Sequence, residues 1–185
     1  MNDTAHFEPL TPRCYATYIT VGTQAYDQHY QHLWPGNDTS TYIEHSFTLP
    51  VLLEEEKDNN TSLFLIKVKD TCIGILKITY DKHIQHFSKR DALYIDKIYI
   101  LKEYTGKGFG HQTLDFIEEL ALENDKKVIF LEAMQKGPAF PFYIANGFNI
   151  GGITEIPFEN AIQTEKPMFT MIKELKFVDE VTSLF

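Results

Sequence analysis

The stretch that most constrains how this chain can fold runs from Ile95 to Leu122, IDKIYILKEYTGKGFGHQTLDFIEELAL. Ile98, Tyr99 and Ile100 are β-formers in a run of strand length, and Gly106, Gly108 and Gly110 punctuate a turn. Leu114, Ile117, Leu120 and Ala121 then recur at helical spacing, with Asp115, Glu118, Glu119 and Glu123 between them. The expectation is a strand, a glycine turn and a helix that opens inside the glycines. The helix's first turn carries no acid, although the macrodipole favours one there. Bare backbone N–H groups without a resident carboxylate are what a site for a ligand's phosphate requires.

Around this unit the chain alternates clearly. His6–Leu10 reads as a short strand. Thr11-Pro12 reads as an N-cap with proline at the first helical position, opening a helix to about His32. Trp34-Pro35-Gly36-Asn37-Asp38 breaks it. Ser40 or Thr41 caps a second helix through Phe47, and Pro50 starts a segment ending in Glu54, Glu55 and Glu56. Leu63–Val68 and Cys72–Tyr80, joined by Lys69-Asp70-Thr71, predict a hairpin, with Gly74 a bulge or a close approach. A polar loop at 83–90 precedes the central strand. Val128–Ala133 is a buried-type strand, Gly137–Asn146 a short helix, Phe148–Ile153 and Met168–Leu175 further strands, and Pro157–Lys166 a loop. Helices, a hairpin, then strand–helix–strand–helix–strand–strand is the order of a mixed α/β sheet rather than a repeating βαβ array.

The 185 residues and 43% hydrophobic content suit one domain with an adequate core. A net charge of −9 argues against nucleic-acid or anionic-membrane binding, which need basic patches, and is compatible with a cationic small substrate. The 14% aromatic content implies either an aromatic-lined groove or a bulky core. Cys14 and Cys72 have no metal-ligand or CxxC spacing. No metal site is expected. The opening MNDTAHFEPL lacks the basic and apolar regions of a signal peptide, and no apolar run reaches the roughly 18 residues of a membrane span. These features point to a soluble, cytoplasmic protein.

Three phosphate-binding readings compete for the glycine turn. A P-loop needs four residues between its first glycine and a Gly-Lys-Ser/Thr, and Gly106-Lys107-Gly108 has neither that spacing nor the hydroxyl. A dinucleotide fingerprint would use Glu132, about twenty residues on, as its ribose acid. However, His111 or Thr113 stands where a small third residue belongs, and the glycines lie past the strand rather than at its end. The third reading is a diphosphate cradled by consecutive N–H groups at a helix N-terminus.

On this third reading the chain resembles the GNAT superfamily of acyl-CoA-dependent N-acyltransferases. The family's Gln/Arg-x-x-Gly-x-Gly/Ala signature falls on Thr105-Gly106-Lys107-Gly108-Phe109-Gly110, with Thr105 replacing the usual Gln or Arg. A second block, Asn-x-x-Ala-x-x-Phe-Tyr-x-x-x-Gly-Phe, is similar to the segment from Lys136 to Phe148. Ala139, Phe142, Tyr143, Gly147 and Phe148 match in register, Lys136 replaces Asn, and Pro141 is unusual. The resemblance covers roughly 60–175. It implies a single domain over 1–176, with a helical part at about 11–57, a core at about 60–175 and a tail at 177–185. It also implies a central, mostly antiparallel sheet of six or seven strands flanked by helices, with splayed central strands.

The resemblance further implies acetyl-CoA as acyl donor and direct attack on the thioester by a primary amine. Backbone donors to the pantetheine arm would be Ile98, Tyr99 and Ile100. The pyrophosphate would rest on Thr105, Gly106, Lys107, Gly108, Phe109, Gly110 and His111, with Phe142 beside the cofactor. Tyr143 matches the tyrosine that protonates the leaving thiolate, its packed-aromatic role being the alternative. Asp96 is the preferred base, against a salt bridge to Lys97 or Arg90. Glu132, His83 and His86 are weaker candidates, and His29, His32 and His45 are expected to be unpartnered surface residues. The acceptor is a small-molecule amine, and the segment Ala92–Gly110 is similar to bacterial polyamine acetyltransferases. Tyr26, Tyr30, Trp34 and Tyr42, with Glu54, Glu55 and Glu56, suit such a cation, although the three acids read first as a solvated helix end. A non-catalytic acyl-CoA-binding module and transfer to a protein or peptide amine are the alternatives. The family's frequent pairing and the apolar tail, Phe177 to Phe185, make a homodimer compatible.

Overall fold

A computed structural model of the chain describes residues 3–176. The expected tail at 177–185 lies outside the described residues. Seven strands form one sheet: β1 (Ala5–Pro9), β2 (Thr61–Val68), β3 (Thr71–Thr79), β4 (Ala92–Ile100), β5 (Val128–Met134), β6 (Asn149–Glu155) and β7 (Pro167–Glu174). Five α-helices accompany them: α1 (Tyr15–Tyr30), α2 (Ser40–Ser46), α3 (Leu49–Glu55), α4 (Phe109–Glu123) and α5 (Ala139–Ala145). The order across the sheet is β1-β2-β3-β4-β5-β7-β6. Every neighbouring pair is antiparallel except β4–β5. A parallel pair cannot be closed by a tight hairpin, and α4 supplies the crossover.

The two sheet faces carry separate cores. Ile117 and Ala121 of α4, both fully buried, pack with Ile66, Ile78 and Leu93 on one face. Tyr18, Ala25 and Tyr26 of α1 pack with Leu65, Ile75 and Leu52 on the other. Gly74 makes the expected close approach: a Cβ there would lie 2.5 Å from the Tyr99 carbonyl oxygen.

Two helix starts differ from expectation. Thr11 precedes a 3-10 turn (Pro12–Cys14) rather than capping α1, and makes no side-chain cap bond. Its hydroxyl points instead to the Cys14 thiol, 3.7 Å away. The second helix begins at Ser40 with Thr39 as its N-cap residue, because the Asp38 carboxylate already takes the Ser40 N–H at 3.0 Å.

Two irregularities in β4 shape the molecule. Its ladder with β5 has three pairs, ending at Tyr94↔Phe130. From Ile95 onward β4 stays on β3 while β5 stays on β7, so the sheet opens as a wedge. The β3–β4 register also shifts, Lys77↔Lys97 being followed by Ile78↔Ile95, which makes Asp96 the extra residue of a β-bulge.

Candidate active site

The bulge re-aims two consecutive side chains. In a regular strand Asp96 and Lys97 would face opposite sides of the sheet. Here Asp96 bonds Thr79 and Lys97 bonds Glu55 of α3, both toward the α1 face. Asp96 accepts a 2.6 Å hydrogen bond from the Thr79 hydroxyl, and Lys77 Nζ lies 3.8 Å away. The expected partners Lys97 and Arg90 do not hold it. Lys97 turns to Glu55 Oε1 at 3.3 Å, and the same oxygen takes Lys77 at 2.8 Å. Burial lowers the Lys97 ammonium's pKa, and the Glu55 charge opposes that shift. Two lysines at inward positions of otherwise apolar strands were the available sequence signal for this network.

The wedge also exposes backbone. Leu101 N–H donates to the Ile73 carbonyl at 2.8 Å. By the antiparallel alternation Tyr99 N–H therefore also faces β3, while the N–H groups of Ile98 and Ile100 face the opened side. Of the three expected backbone donors, Tyr99 instead contributes its ring. His29 is not the unpartnered surface residue expected: its Nε2–H donates to the Ile100 carbonyl at 2.8 Å. His45 Nδ1 bonds the Thr41 carbonyl at 2.7 Å.

Past β4 a 3-10 turn (Lys102–Tyr104) leads into the glycines. Thr105 donates its hydroxyl to the Lys102 carbonyl at 2.8 Å. Gly106 and Gly108 have φ of 71° and 88°, the left-handed region, with no other heavy atom within 4 Å of a would-be Cβ. Gly108 is the N-cap residue of α4, which has no side-chain cap and no acid in its first turn. Phe109, buried, anchors the helix start in the core. Gly110 lets α5 approach, since a Cβ would lie 3.1 Å from Phe142 Cζ. Lys107 and His111 stand exposed beside the turn. The Lys107 ammonium lies 5.4 Å from the Tyr104 ring centroid and the His111 ring 6.3 Å from Phe142. This is an uncapped helix N-terminus, left-handed glycines with open space, and two basic side chains. It fits a diphosphate.

Between β4, β5, α1 and α5 lies a cavity of about 230 Å³. Asp96 and Tyr143 both line it, so residues 47 apart in sequence border one cavity. Burial raises the Tyr143 phenol well above its ordinary pKa and keeps it protonated. Glu132, exposed at the outer part of β5, also lines the cavity and receives the Tyr94 hydroxyl at 3.4 Å. His83 and His86 remain in the loop at 83–90, both exposed and outside the cavity lining. Glu54, Glu55 and Glu56 do not form an acidic patch at the cavity. Glu54 pairs with Lys57, Glu55 with the two lysines, and Glu56 accepts from Tyr15. Phe158 lines the cavity from the β6–β7 loop.

Among the described residues no group of three or more His, Cys, Asp or Glu side chains could hold a metal ion, and no helix is long and apolar enough to cross a membrane.

Comparison with known proteins agrees with this architecture. Residues 24–148 match the model of the acetyltransferase (GNAT) family. An uncharacterised N-acetyltransferase in the pepI 3′ region of Lactobacillus delbrueckii subsp. lactis is 26% identical over 111 residues. That match takes in 60% of this chain and 64%, under two thirds, of the relative. The fold is similar to the crystal structure of PaiA N-acetyltransferase from Thermoplasma acidophilum in complex with coenzyme A. Its TM-score is 0.72 at 18% identity, over 93% of this chain and 99% of that one. It is also similar to a chimera of spermidine N-acetyltransferase SpeG from Vibrio cholerae and hSSAT, with a TM-score of 0.67 at 16% identity. That match covers 92% of this chain and 95% of the other.

Proposed function

The chain belongs to the acetyltransferase (GNAT) family, and from that premise we propose that it moves an acetyl group from acetyl-CoA to a small primary amine. The observation that carries the reading is the shared cavity. The base and acid expected from sequence line one space, at the point where β4 parts from β5. The Thr105–Gly110 turn and the N-terminus of α4 would hold the diphosphate, with Lys107 and His111 adding charge, and the free N–H groups of Ile98 and Ile100 would meet the pantetheine arm. When bound, coenzyme A supplies the acetyl group as a thioester.

Asp96 takes the proton that the amine must lose to become a nucleophile. The amine nitrogen would form the new C–N bond as the C–S bond breaks, and Tyr143 would deliver a proton to the departing sulfur. The second proton that nitrogen sheds on becoming an amide would pass through solvent to restore the Tyr143 phenol. The products are an amide and a thiol. A phenol's ordinary pKa of about 10 lies close to a thiol's, about 8.5, so the transfer is nearly balanced. Burial keeps the Tyr143 proton in place until the thiolate forms, at the cost of a weaker acid. The Thr79 hydrogen bond and Lys77 fix the Asp96 carboxylate in place.

Incubating the protein with acetyl-CoA, a thiol reagent and a panel of amines tests the reading. Amine-dependent thiol release is expected. Calorimetry and thermal unfolding with coenzyme A separate an acyl-CoA-binding module from an enzyme. A ligand at a hundred times its dissociation constant stabilises by about 2.7 kcal/mol. Binding without release with any amine would leave the module reading in place, and absence of binding would overturn both. A polyamine acceptor is the finer alternative. The likeness to a spermidine acetyltransferase chimera favours it.

A further inference from the structure

The acceptor side of the cavity carries chemistry that narrows the amine. Its wall is aromatic. Tyr26 stacks on Tyr42 with ring centroids 3.8 Å apart and planes 7° from parallel. Tyr99 meets Tyr42 edge-on at 6.5 Å. Several of their hydroxyls are engaged: Tyr42 and Tyr99 share a 2.6 Å hydrogen bond, and the Trp34 indole N–H donates to Tyr26 Oη at 3.0 Å. What this group chiefly offers a ligand is ring faces and edges.

The charges are few. The cavity lining carries Asp96, Lys97 and Glu132, and with Glu55 and Lys77, which bond to Lys97 and stand beside Asp96, the connected charges sum to one net negative charge. A buried ammonium needs a partner for each charge it brings. One excess carboxylate matches one ammonium group, whereas spermidine brings three.

One end is bounded by a loop. The β6–β7 loop is fastened to the helical side, Ile162 N–H donating to the Leu33 carbonyl at 2.9 Å and Asn160 Nδ2 to Thr41 Oγ1 at 2.7 Å. Phe158 from this loop packs on Trp34 and Tyr42, 5.6 and 6.0 Å between centroids. An extended peptide would have to displace it. The roughly 230 Å³ must also admit the thioester end of the donor, and it lies below the roughly 300–1,000 Å³ of sites for drug-sized ligands.

We propose that the acceptor is a compact primary monoamine with an aromatic or branched apolar body. Its carbon frame lies against Tyr30, Tyr42 and Phe158, and its ammonium faces Asp96 and Glu132. This rests on the acetyltransferase reading and adds the substrate class.

The test uses the full chain with phenethylamine, spermidine and a short peptide with a free amino terminus. It reads both kcat/KM for acetylation and equilibrium binding of each amine to the protein saturated with coenzyme A. Phenethylamine is expected to exceed the other two by about tenfold or more in kcat/KM, and to bind tightest, as apolar complementarity supplies discrimination of that order. Phe158→Ala should raise KM for phenethylamine about tenfold with little change in kcat, the signature of lost uniform binding, and Phe158→Leu should restore part of it. Comparable or better turnover or binding of spermidine or the peptide, with coenzyme A bound normally, would overturn this inference alone. A chain that does not bind coenzyme A would overturn the acetyltransferase reading, and this inference with it.

Discussion

Glu55 of α3 holds together two cross-strand lysines, and its replacement by glutamine has a magnitude that follows from the structure. Lys77 and Lys97 are register partners on β3 and β4. Like charges placed opposite each other repel, and the side chains are only 14% and 8% exposed, so water screens them poorly. Glu55, itself 15% exposed, neutralises both through one oxygen at 2.8 and 3.3 Å. Asp96 remains, but at 3.8 Å and from Lys77 alone. Glu55→Gln keeps the side chain's shape and removes the charge, leaving a buried ammonium uncompensated, which typically costs about 3–5 kcal/mol. With a urea dependence of about 2 kcal/mol/M, the unfolding midpoint should fall by roughly 1.5–2.5 M at unchanged slope. Glu54→Gln breaks a pair whose side chains are 75% and 71% exposed and should move the midpoint by well under about 0.5 M. Adding Lys97→Met to Glu55→Gln removes the stranded charge and should recover part of the loss, a coupling that a double-mutant cycle measures. A Glu55→Gln midpoint within about 0.3 M of the parent would refute the argument that this network carries stability.

Tyr143→Phe should lower kcat by about a hundredfold, the lower end of what a positioned general acid contributes. Coenzyme A affinity by calorimetry should stay within about threefold, since a phenyl ring keeps the packing against Phe142 and Phe148. Asp96→Asn should cut kcat/KM at neutral pH by a similar factor and regain rate as pH rises and the free amine supplies itself, which a pH–rate profile will read. Gly108→Ala meets no atom but forces a left-handed φ of 88° on a residue with a Cβ. It should cost about 1–2 kcal/mol, or roughly 2–8 °C in melting temperature, and weaken coenzyme A binding beyond that. Burial raises the phenols of Tyr18, Tyr26 and Tyr99 above the ordinary tyrosine value, and Tyr30 to about 12. The folded chain therefore holds protons that the unfolded one releases near pH 10. The stability is fully present below that pH and falls as pH rises above it, so tyrosinate absorbance should rise in one steep step together with unfolding.

Much of the site was legible because local rules decide it. Gly106 and Gly108 sit where the backbone turns left-handed, and Gly74 where a neighbouring strand leaves no room for a side chain; both are properties of a single residue type. The strands and helices follow periodicities that tertiary packing did not overrule. What stayed hidden depends on register between strands. Counting alternate residues along β4 sends Asp96 and Lys97 to opposite faces, and only the shift against β3 brings them together. The same holds for Tyr99, whose N–H direction is set by the Leu101–Ile73 hydrogen bond. Glu55 read as part of a solvated acidic helix end, since its partners lie 22 and 42 residues away. Phe158 lacks a local signal because the loop that carries it is placed by contacts to Leu33 and Thr41.

The bulge and the wedge share a cause. A β-bulge increases the local twist of its strand, and Asp96 lies two residues beyond Tyr94, the last residue of β4 to pair with β5. Beyond it β4 keeps an unbroken ladder with β3, through Gly74↔Ile100. The added twist must therefore appear on the other side, as separation from β5. One extra residue thus places Asp96 on the cavity wall and leaves the N–H groups of Ile98 and Ile100 facing the opened side. Unpaired backbone donors are costly when buried dry, so a sheet opened in this way is held most stably when something else accepts those hydrogen bonds. The glycine turn begins five residues past the end of β4. Donors on a strand edge, followed by donors at a helix N-terminus, define a path for an extended ligand with acceptors along its length and a diphosphate at its end. A pantetheine arm has that description, and the carboxylate at the bulge marks where its reactive end would meet the amine.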